Sequence, residues 1–460
     1  MRKLLLGALL LLSTTNTFSQ TLNFTLANPQ PNIMEGYIGT FASGDIDGDG
    51  DLDLFMTSNS PGKRTALYKN DGNGNFTEVT HIFPHSAYSQ AFFKDLDGDG
   101  DLDLFFSGQN EFTQNFANIY RNNGSGTFTQ VPNALPVFMV GAAIADVDND
   151  GDLDLAITTA TTAGIYLNNG NAVFTPQGNS VFTPVDGIVQ TIDIENDGDQ
   201  DVIISGSDIS FSNTIKLYQN DGSGIYTLNT NSTFPQIAAE SIDVADTDND
   251  GDLDLLINGD YQNLLYINNG TGVFTAISTN IQQTGFGNNA FADLDNDGDQ
   301  DLLSIGSLEG GVFAGIFNKL YRNDGNNTFV QAQVLGGDYL ADCILDDFNG
   351  DGLKDIIIQG FIGMTSVYWN TPTVLSTSEQ IVTNQNVIIY PNPAQSIFNV
   401  KADTKLIGSI YTMYDNTGKV VLAGKINTEN TNIELGNLAA GIYLFSVGED
   451  VKQILKVIKE

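Results

Sequence analysis

Apolar and polar positions alternate along most of this chain in short runs, broken by turns rich in glycine, asparagine and aspartate. Runs such as Leu52-Asp-Leu-Phe-Met-Thr57 have the period of two that predicts a strand with one face toward a core. A second pattern, Leu67-Tyr-Lys-Asn-Asp-Gly-Asn-Gly-Asn-Phe-Thr77, places Asn-Asp-Gly between two alternating arms. Those residues tolerate positive φ, so the pattern predicts a β-hairpin. It returns from Ile119, Ile165, Leu217, Leu265 and Leu320. Each repeat therefore predicts four strands: one before an acidic stretch, one after it, and two hairpin arms. Almost nothing reads as helix, and the fold class expected is all-β.

The acidic stretch sets the period. It runs Asp45-Ile-Asp-Gly-Asp-Gly-Asp-Leu-Asp53, with near-copies starting at Asp95, Asp146, Asp193, Asp246, Asp293 and Asp347. Seven four-stranded units repeating roughly every 50 residues predict a seven-bladed β-propeller, which leaves only short sheet edges. The seventh repeat stops at Val367-Tyr-Trp-Asn370 without a fourth strand, whereas Leu22-Asn-Phe-Thr25 copies the outer-strand pattern Asn75-Phe-Thr77. Residues 21–26 are thus expected to complete the last blade and close the ring.

Each acidic stretch reads as a calcium loop. Calcium takes six to eight oxygen ligands at about 2.3–2.6 Å, which suits carboxylates at alternate positions of a curled loop, while magnesium demands a rigid octahedron. In the first copy Asp45, Asp47 and Asp49 point inward together, Gly50 permits the sharp turn, Asp51 contributes its backbone carbonyl, and Asp53 closes the cage with both oxygens. The same positions are Asp95, Asp97, Asp99, Asp101 and Asp103 in the second loop, and Asp146, Asp148, Asp150, Asp152 and Asp154 in the third. The fourth has Asp193, Glu195, Asp197, Asp199 and Asp201, and the fifth Asp246, Asp248, Asp250, Asp252 and Asp254. The sixth has Asp293, Asp295, Asp297, Asp299 and Asp301, and the seventh Asp347, Asn349, Asp351, Leu353 and Asp355. Up to seven Ca²⁺ are expected, with the fourth loop (Glu195 over-reaching) and the depleted seventh the weakest. An EF-hand does not fit, because it needs a twelve-residue loop ending in Glu between helices.

Composition sharpens this picture. The chain of 460 residues has 56 acids, 18 bases and a formal charge of −38. More than half of the acids lie in the seven loops, so most of the charge is loop chemistry. So acidic a surface argues against nucleic acid or anionic membrane as partner. A single cysteine, Cys343, precludes an intramolecular disulfide and is expected to be a buried structural thiol. Arg2 and Lys3, the apolar run Leu4–Leu12 and the polar end at Ser19 have the form of a signal peptide spanning residues 1–19. No later run has the length of a transmembrane segment. An exported chain meets millimolar calcium, where modest sites fill.

The loops and hairpins together resemble the FG-GAP or VCBS repeats of integrin α-subunit propellers, over roughly residues 21–370. That resemblance implies metal roles for positions 1, 3, 5, 7 and 9 of each loop, and it fixes no ligand. Residues 371–386 read as a polar linker. Residues 387–460 then carry seven short predicted strands, as in a small Ig-like β-sandwich. Within them Tyr390-Pro-Asn-Pro393, Tyr414-Asp-Asn-Thr-Gly-Lys419, Leu438-Ala-Ala-Gly-Ile-Tyr443 and Lys456-Val-Ile-Lys459 resemble the type A C-terminal sorting domain of type IX secretion in Bacteroidota. The resemblance implies that the type IX machinery is a partner and that the destination is the cell surface or beyond.

No catalytic constellation stands out. His81 and His85 lack acidic or cysteine neighbours that would make a zinc site, and Ser205, Ser207, Ser304 and Ser307 have no nearby histidine. Calcium loops and Asn-Asp-Gly turns share one face by strand alternation. The remaining connections, on the opposite face, carry Phe112, Phe116, Phe211, Tyr261, Phe313 and Phe317, and loops on a rigid scaffold are where binding usually resides. The reading is a secreted, non-catalytic, calcium-binding propeller for adhesion to an extracellular glycan or protein. An extracellular polysaccharide lyase or hydrolase on the same scaffold, or a structural surface-layer protein, stands as the alternative.

Overall fold

In the computed structural model the described residues are 22–59, 62–137, 141–178, 182–309, 315–337, 341–361, 365–371, 387–414, 419–436, 438–439, 441–447 and 453–459. The signal-peptide reading, Phe313 and the linker beyond Thr371 lie outside them. The chain divides into two compact units, Met1–Thr373 and Val374–Glu460.

The first unit contains seven four-stranded antiparallel sheets among its described residues. In the first blade the strands run Phe41–Gly44, Asp53–Ser58, Arg64–Asn70 and Phe76–Val79, hydrogen-bonded in that order. The first strands of successive blades approach one another around the axis, and Phe41–Gly44 of blade one approaches Asp342–Asp346 of blade seven. Between blades two and three, the Gln90 side chain accepts from Ala142 N (2.7 Å) and donates to Ala142 O (2.7 Å).

Every residue of Asp53–Ser58 is buried, because a neighbouring blade covers each face of the second strand. The apolar cores accordingly lie between blades. Phe55, Phe83, Phe106 and Tyr120 join blades one and two, and Phe41, Leu54, Phe348 and Val367 join blades one and seven. Rings within the first of these cores meet edge-on at 4.8–6.4 Å, the geometry that aromatic quadrupoles favour.

The last blade closes as the sequence predicts. Phe24–Leu26 pairs antiparallel with Ser366–Asn370, with Phe24 opposite Asn370 and Leu26 opposite Tyr368. Gln333 of blade six locks the strand in place: its Oε1 accepts from Phe24 N (2.9 Å) and its Nε2 donates to Phe24 O (2.7 Å).

The second unit is a small sandwich of a three-stranded and a four-stranded sheet. Val387–Tyr390, Ile397–Ala402 and Asn430–Glu434 form the first sheet. Val420–Lys425, Ile410–Tyr414, Gly441–Val447 and Gln453–Lys459 form the second. It has its own core around Phe398, Val400, Met413 and Phe445. A single 3-10 turn, Thr404–Leu406, is the one helical element among the described residues.

Candidate metal loops and the opposite face

Each acidic loop joins the first and second strands of its blade, and positions 2 and 9 anchor it in the core. Position 2 is apolar or small and fully buried: Ile46, Leu96, Val147, Ile194, Thr247, Leu294 and Phe348. It pins the loop to the core.

Position 1 folds the loop on itself. Asp45 Oδ1 accepts from Gly48 N (2.7 Å) and its Oδ2 from Gly50 N (3.0 Å). Position 5 accepts from the position-7 N–H, as in Asp49 from Asp51 N (3.1 Å). These bonds are charge-assisted and fix a turn that leaves the remaining lone pairs aimed inward. Position 4 lies in the left-handed region throughout: Gly48, Gly98 and Gly350 at φ of 76°, 73° and 72°, and Asn149, Asn196, Asn249 and Asn296 at 59°, 56°, 61° and 56°. Only glycine and asparagine visit that region cheaply.

Position 9, expected to close the cage with both oxygens, is also tied into the fold through both. Asp53 is fully buried; its Oδ2 accepts from Ile46 N (3.2 Å) and its Oδ1 from Asn70 N (2.8 Å). The pattern repeats to Asp355, which accepts from Phe348 N (3.1 Å) and Asn370 N (2.9 Å). Burial pushes these carboxyls above the usual carboxylate range, to about 6 at Asp53 and about 8 at Asp301, while the backbone donors pull the other way. Position 9 therefore staples loop to hairpin first, with its second lone pairs left for an ion. Position 7 also has a separate task. The Asp51 carboxylate lies against Gly72 of the hairpin, where a Cβ would come within 2.4 Å of Oδ1.

Five loops bring three carboxylate oxygens within 4.8 Å of one another. These are Asp45, Asp47 and Asp53; Asp95, Asp97 and Asp99; Asp146, Asp148 and Asp154; Asp246, Asp248 and Asp250; and Asp293, Asp295 and Asp297. No such acidic trio occurs in the fourth or seventh loop among the described residues, the loops with Glu195 and Asn349. Glu195 reaches Gln219 and Asp201 instead.

The donor set fits a hard cation. Asp146 Oδ1, Asp148 Oδ1, Asp246 Oδ1, Asp248 Oδ1 and both oxygens of Asp295 are buried without a hydrogen-bond partner. A buried carboxylate oxygen without a partner is strongly unfavourable, and only an all-oxygen cation site matches these ligands.

The asparagine opening each hairpin carries a role that sequence reasoning missed. Asn122 Nδ2 donates to Ile46 O (2.7 Å), Asn220 Nδ2 to Val147 O (2.7 Å) and Asn370 Nδ2 to Leu294 O (2.7 Å). In every blade this side chain ties the hairpin to the position-2 carbonyl of the preceding loop. The repeated spacing between loop and hairpin was the available signal.

The opposite face differs in kind. Phe112 and Phe211 are 72% and 90% exposed, at the tips of two loops built alike. Asn110 Oδ1 accepts from Phe112 N and Gln114 N, both at 3.0 Å, and Asp208 Oδ1 accepts from Ser210 N (2.7 Å) and Ser212 N (3.0 Å). Tyr261 packs edge-on against Phe286 at 5.4 Å, and Tyr37 against Phe361 at 4.8 Å. Ile38, Tyr88, Phe211, Tyr261 and Phe286 all adopt positive φ, between 51° and 61°. For bulky or branched residues this costs about 1–2 kcal/mol each. Phe116 instead packs on Phe106 at 4.9 Å, and Phe317 lies under Lys319 Nζ at 4.5 Å.

The other side chains singled out in the sequence are structural. His81 Nε2 contacts Thr65 O (3.0 Å) and His85 Nδ1 accepts from Thr65 N (3.1 Å). Ser205 Oγ accepts from Ala239 N (2.9 Å) and Ser207 Oγ donates to Asn213 (2.6 Å). Cys343 is half-buried against the core of blades six and seven. Burial raises its thiol pKa, the wrong direction for a nucleophile.

No curated protein sequence matches the chain. Among solved structures, an Agrocybe aegerita lectin described as recognising non-reducing terminal N-acetylglucosamine is 18% identical with a TM-score of 0.48, covering 72% of this chain and 85% of its own. PorZ, a surface component of the type IX secretion system of Porphyromonas gingivalis, is 14% identical with a TM-score of 0.48, covering 94% of this chain and 60% of its own. No helix among the described residues is long and apolar enough to cross a membrane. Residues 388–460 match the secretion system C-terminal sorting domain, which directs the chain through type IX secretion to the cell surface or beyond. Six overlapping matches to the FG-GAP-like repeat run without a gap from residue 45 to residue 358. The chain thus belongs to the FG-GAP-like repeat family, as a β-propeller exported by a C-terminal sorting domain.

Proposed function

We propose that this exported propeller is a non-catalytic binding module, that calcium fills its acidic loops, and that the face opposite those loops engages an extracellular glycan or protein. The observation that carries the reading is the contrast between the two faces. On the loop face, unusual backbone is confined largely to glycine and asparagine, which adopt it cheaply. On the other, it is imposed on Ile38, Tyr88, Phe211, Tyr261 and Phe286, and strain held in place by surrounding structure clusters where function is. Phe112, whose N–H donates to Asn110 Oδ1, and Phe211, whose N–H donates to Asp208 O, sit in loops fastened by the same side-chain-to-backbone bonds and are preordered, so that ordering them on binding costs little. Calcium on this reading is structural: it offsets carboxylates that otherwise face one another without partners.

A glycan array probed with the exported chain, beside a reducing-end assay on plant and algal polysaccharides, tests the reading. Binding without turnover is expected, and Phe112→Ala with Phe211→Ala should abolish binding with an unchanged melting curve. Turnover that survives substitution of the loop aspartates would replace this reading with that of a hydrolase or lyase.

A further inference from the structure

We propose that one position on the third strand of each blade, the residue just before the hairpin asparagine, sets how far the neighbouring loop depends on metal. The proposal rests on the calcium reading of the loops and adds to it a division into self-compensated and metal-dependent sites.

In blades one, two and four the side chain at this position meets position 3 of the loop in its own blade. In blade one it is Lys69, whose Nζ is 2.5 Å from Asp47 Oδ2. In blade two it is Arg121, whose Nε is 2.5 Å from Asp97 Oδ2. Both carboxylates are largely shielded, with side-chain exposures of 14% and 7%, so these cations neutralise charge where water does so poorly. Blades three and five have Leu167 and Ile267 there, which offer no charge. In those loops the position-3 residues Asp148 and Asp248, like Asp146 and Asp246 at position 1, each keep a buried oxygen with no hydrogen-bond partner; Asp47 Oδ1 is unpartnered too, but the other oxygen of that carboxylate is paired with Lys69.

Blade six shows that the arrangement matters as much as the residue. Arg322 occupies the position, but its Nε turns to Asp324 Oδ1 at 2.6 Å. Asp295 is left 3% exposed with neither oxygen partnered, within 4.8 Å of Asp293 and Asp297.

Loops three, five and six therefore hold position-3 carboxylates that no cationic side chain pairs with directly, and a divalent cation is what completes them. In loops one and two an ion entering the site must displace or repel a resident cation. These five loops then bind calcium in two classes: three, five and six tightly, one and two more weakly. As calcium falls, the weak loops empty first, yet their blades stay intact because Lys69 and Arg121 remain.

Calcium titration of the full chain by calorimetry, with melting curves at each calcium level, tests this. Lys69→Met and Arg121→Met together should tighten the weak class on the order of tenfold or more. They should also make the metal-free protein melt lower. Ile267→Lys should do the reverse, removing one tight site while softening the loss of melting temperature on chelation. Unchanged isotherms in a folded Lys69→Met, Arg121→Met protein would overturn the proposal. If that variant fails to fold, an Ile267→Lys isotherm identical to wild type overturns it equally. A wild-type chain that binds no calcium at all would instead overturn the calcium reading beneath it.

Discussion

Asn70 and Phe348 lie 278 residues apart in the chain, yet Asn70 Nδ2 donates to Phe348 O at 2.8 Å across the seam between the first and last blades. The same amide donates to Leu52 O (3.1 Å), and Asn70 N donates to Asp53 (2.8 Å). One residue thus binds its own loop, its own blade and the preceding blade. Asn70→Ala removes both side-chain donors and leaves buried carbonyls unpaired, which costs about 1–3 kcal/mol. Asn220→Ala, inside the ring, should cost about as much. Denaturant midpoints indistinguishable from wild type would mean that these ties carry no stability.

Metal removal should act on one unit alone. A calcium ion at a hundred times its Kd adds about 2.7 kcal/mol per site, so several filled sites rival the whole net stability of an ordinary domain. Chelation should lower the propeller's melting temperature by tens of degrees, with little restored by magnesium. The sandwich of residues 387–459 has its own core and, among its described residues, none of the acidic trios, so its transition should stay in place. Asp150→Ala should cost more than Asp351→Ala, whose loop has fewer carboxylates. A calorimetric trace indifferent to chelator would refute this.

The inner strands supply a pH dependence separate from the loops. Asp243, on the first strand of blade five, is pushed up to about 8, mainly by burial and also by the charge of Asp342 on blade seven, while Ser241 pulls it down. Its folded pKa thus exceeds its unfolded one, so the folded state binds more protons between about pH 4 and pH 8. The contribution is fully present at the acid end and is lost as pH rises through that window. Asp243→Asn should flatten this slope and stabilise the protein at neutral pH, on the order of 1–3 kcal/mol. Melting curves from pH 4 to 8 would show the two proteins diverging; parallel curves would count against it.

Export should depend on the tail and folding should not. Without residues 387–460 the propeller should fold, bind calcium and remain in the periplasm of its host. Fractionation of a host expressing that truncation decides the matter, and its appearance in the medium would contradict the sorting role.

Sequence pattern revealed the strands, the repeat and the ring closure because those features are local. An Asn-Asp-Gly between alternating arms is a turn wherever it occurs, and Asn23-Phe-Thr25 copies Asn75-Phe-Thr77. The site was legible only in outline. That Asp53 would spend both oxygens on Ile46 N and Asn70 N depends on hairpin and loop meeting in space. Asn149, Asn196 and Asn249 look like interchangeable turn formers, yet each reaches a position-7 aspartate of the next blade: Asp199, Asp252 and Asp299. The backbone of Phe211 and Tyr261 violates local preference, so no local rule could have predicted it.

The pairing of Phe24 with Asn370 also bears on timing. Residue 24 emerges early from the ribosome, whereas its partner comes 346 positions later. Until then the outer strand of the last blade waits with an unpaired edge, and six repeats can be made before the ring has anything to close on. A closed ring is therefore a record that synthesis has passed residue 370. A chain interrupted before residue 370 keeps an open seam and an exposed strand, the feature by which an unfinished copy can be distinguished from a finished one.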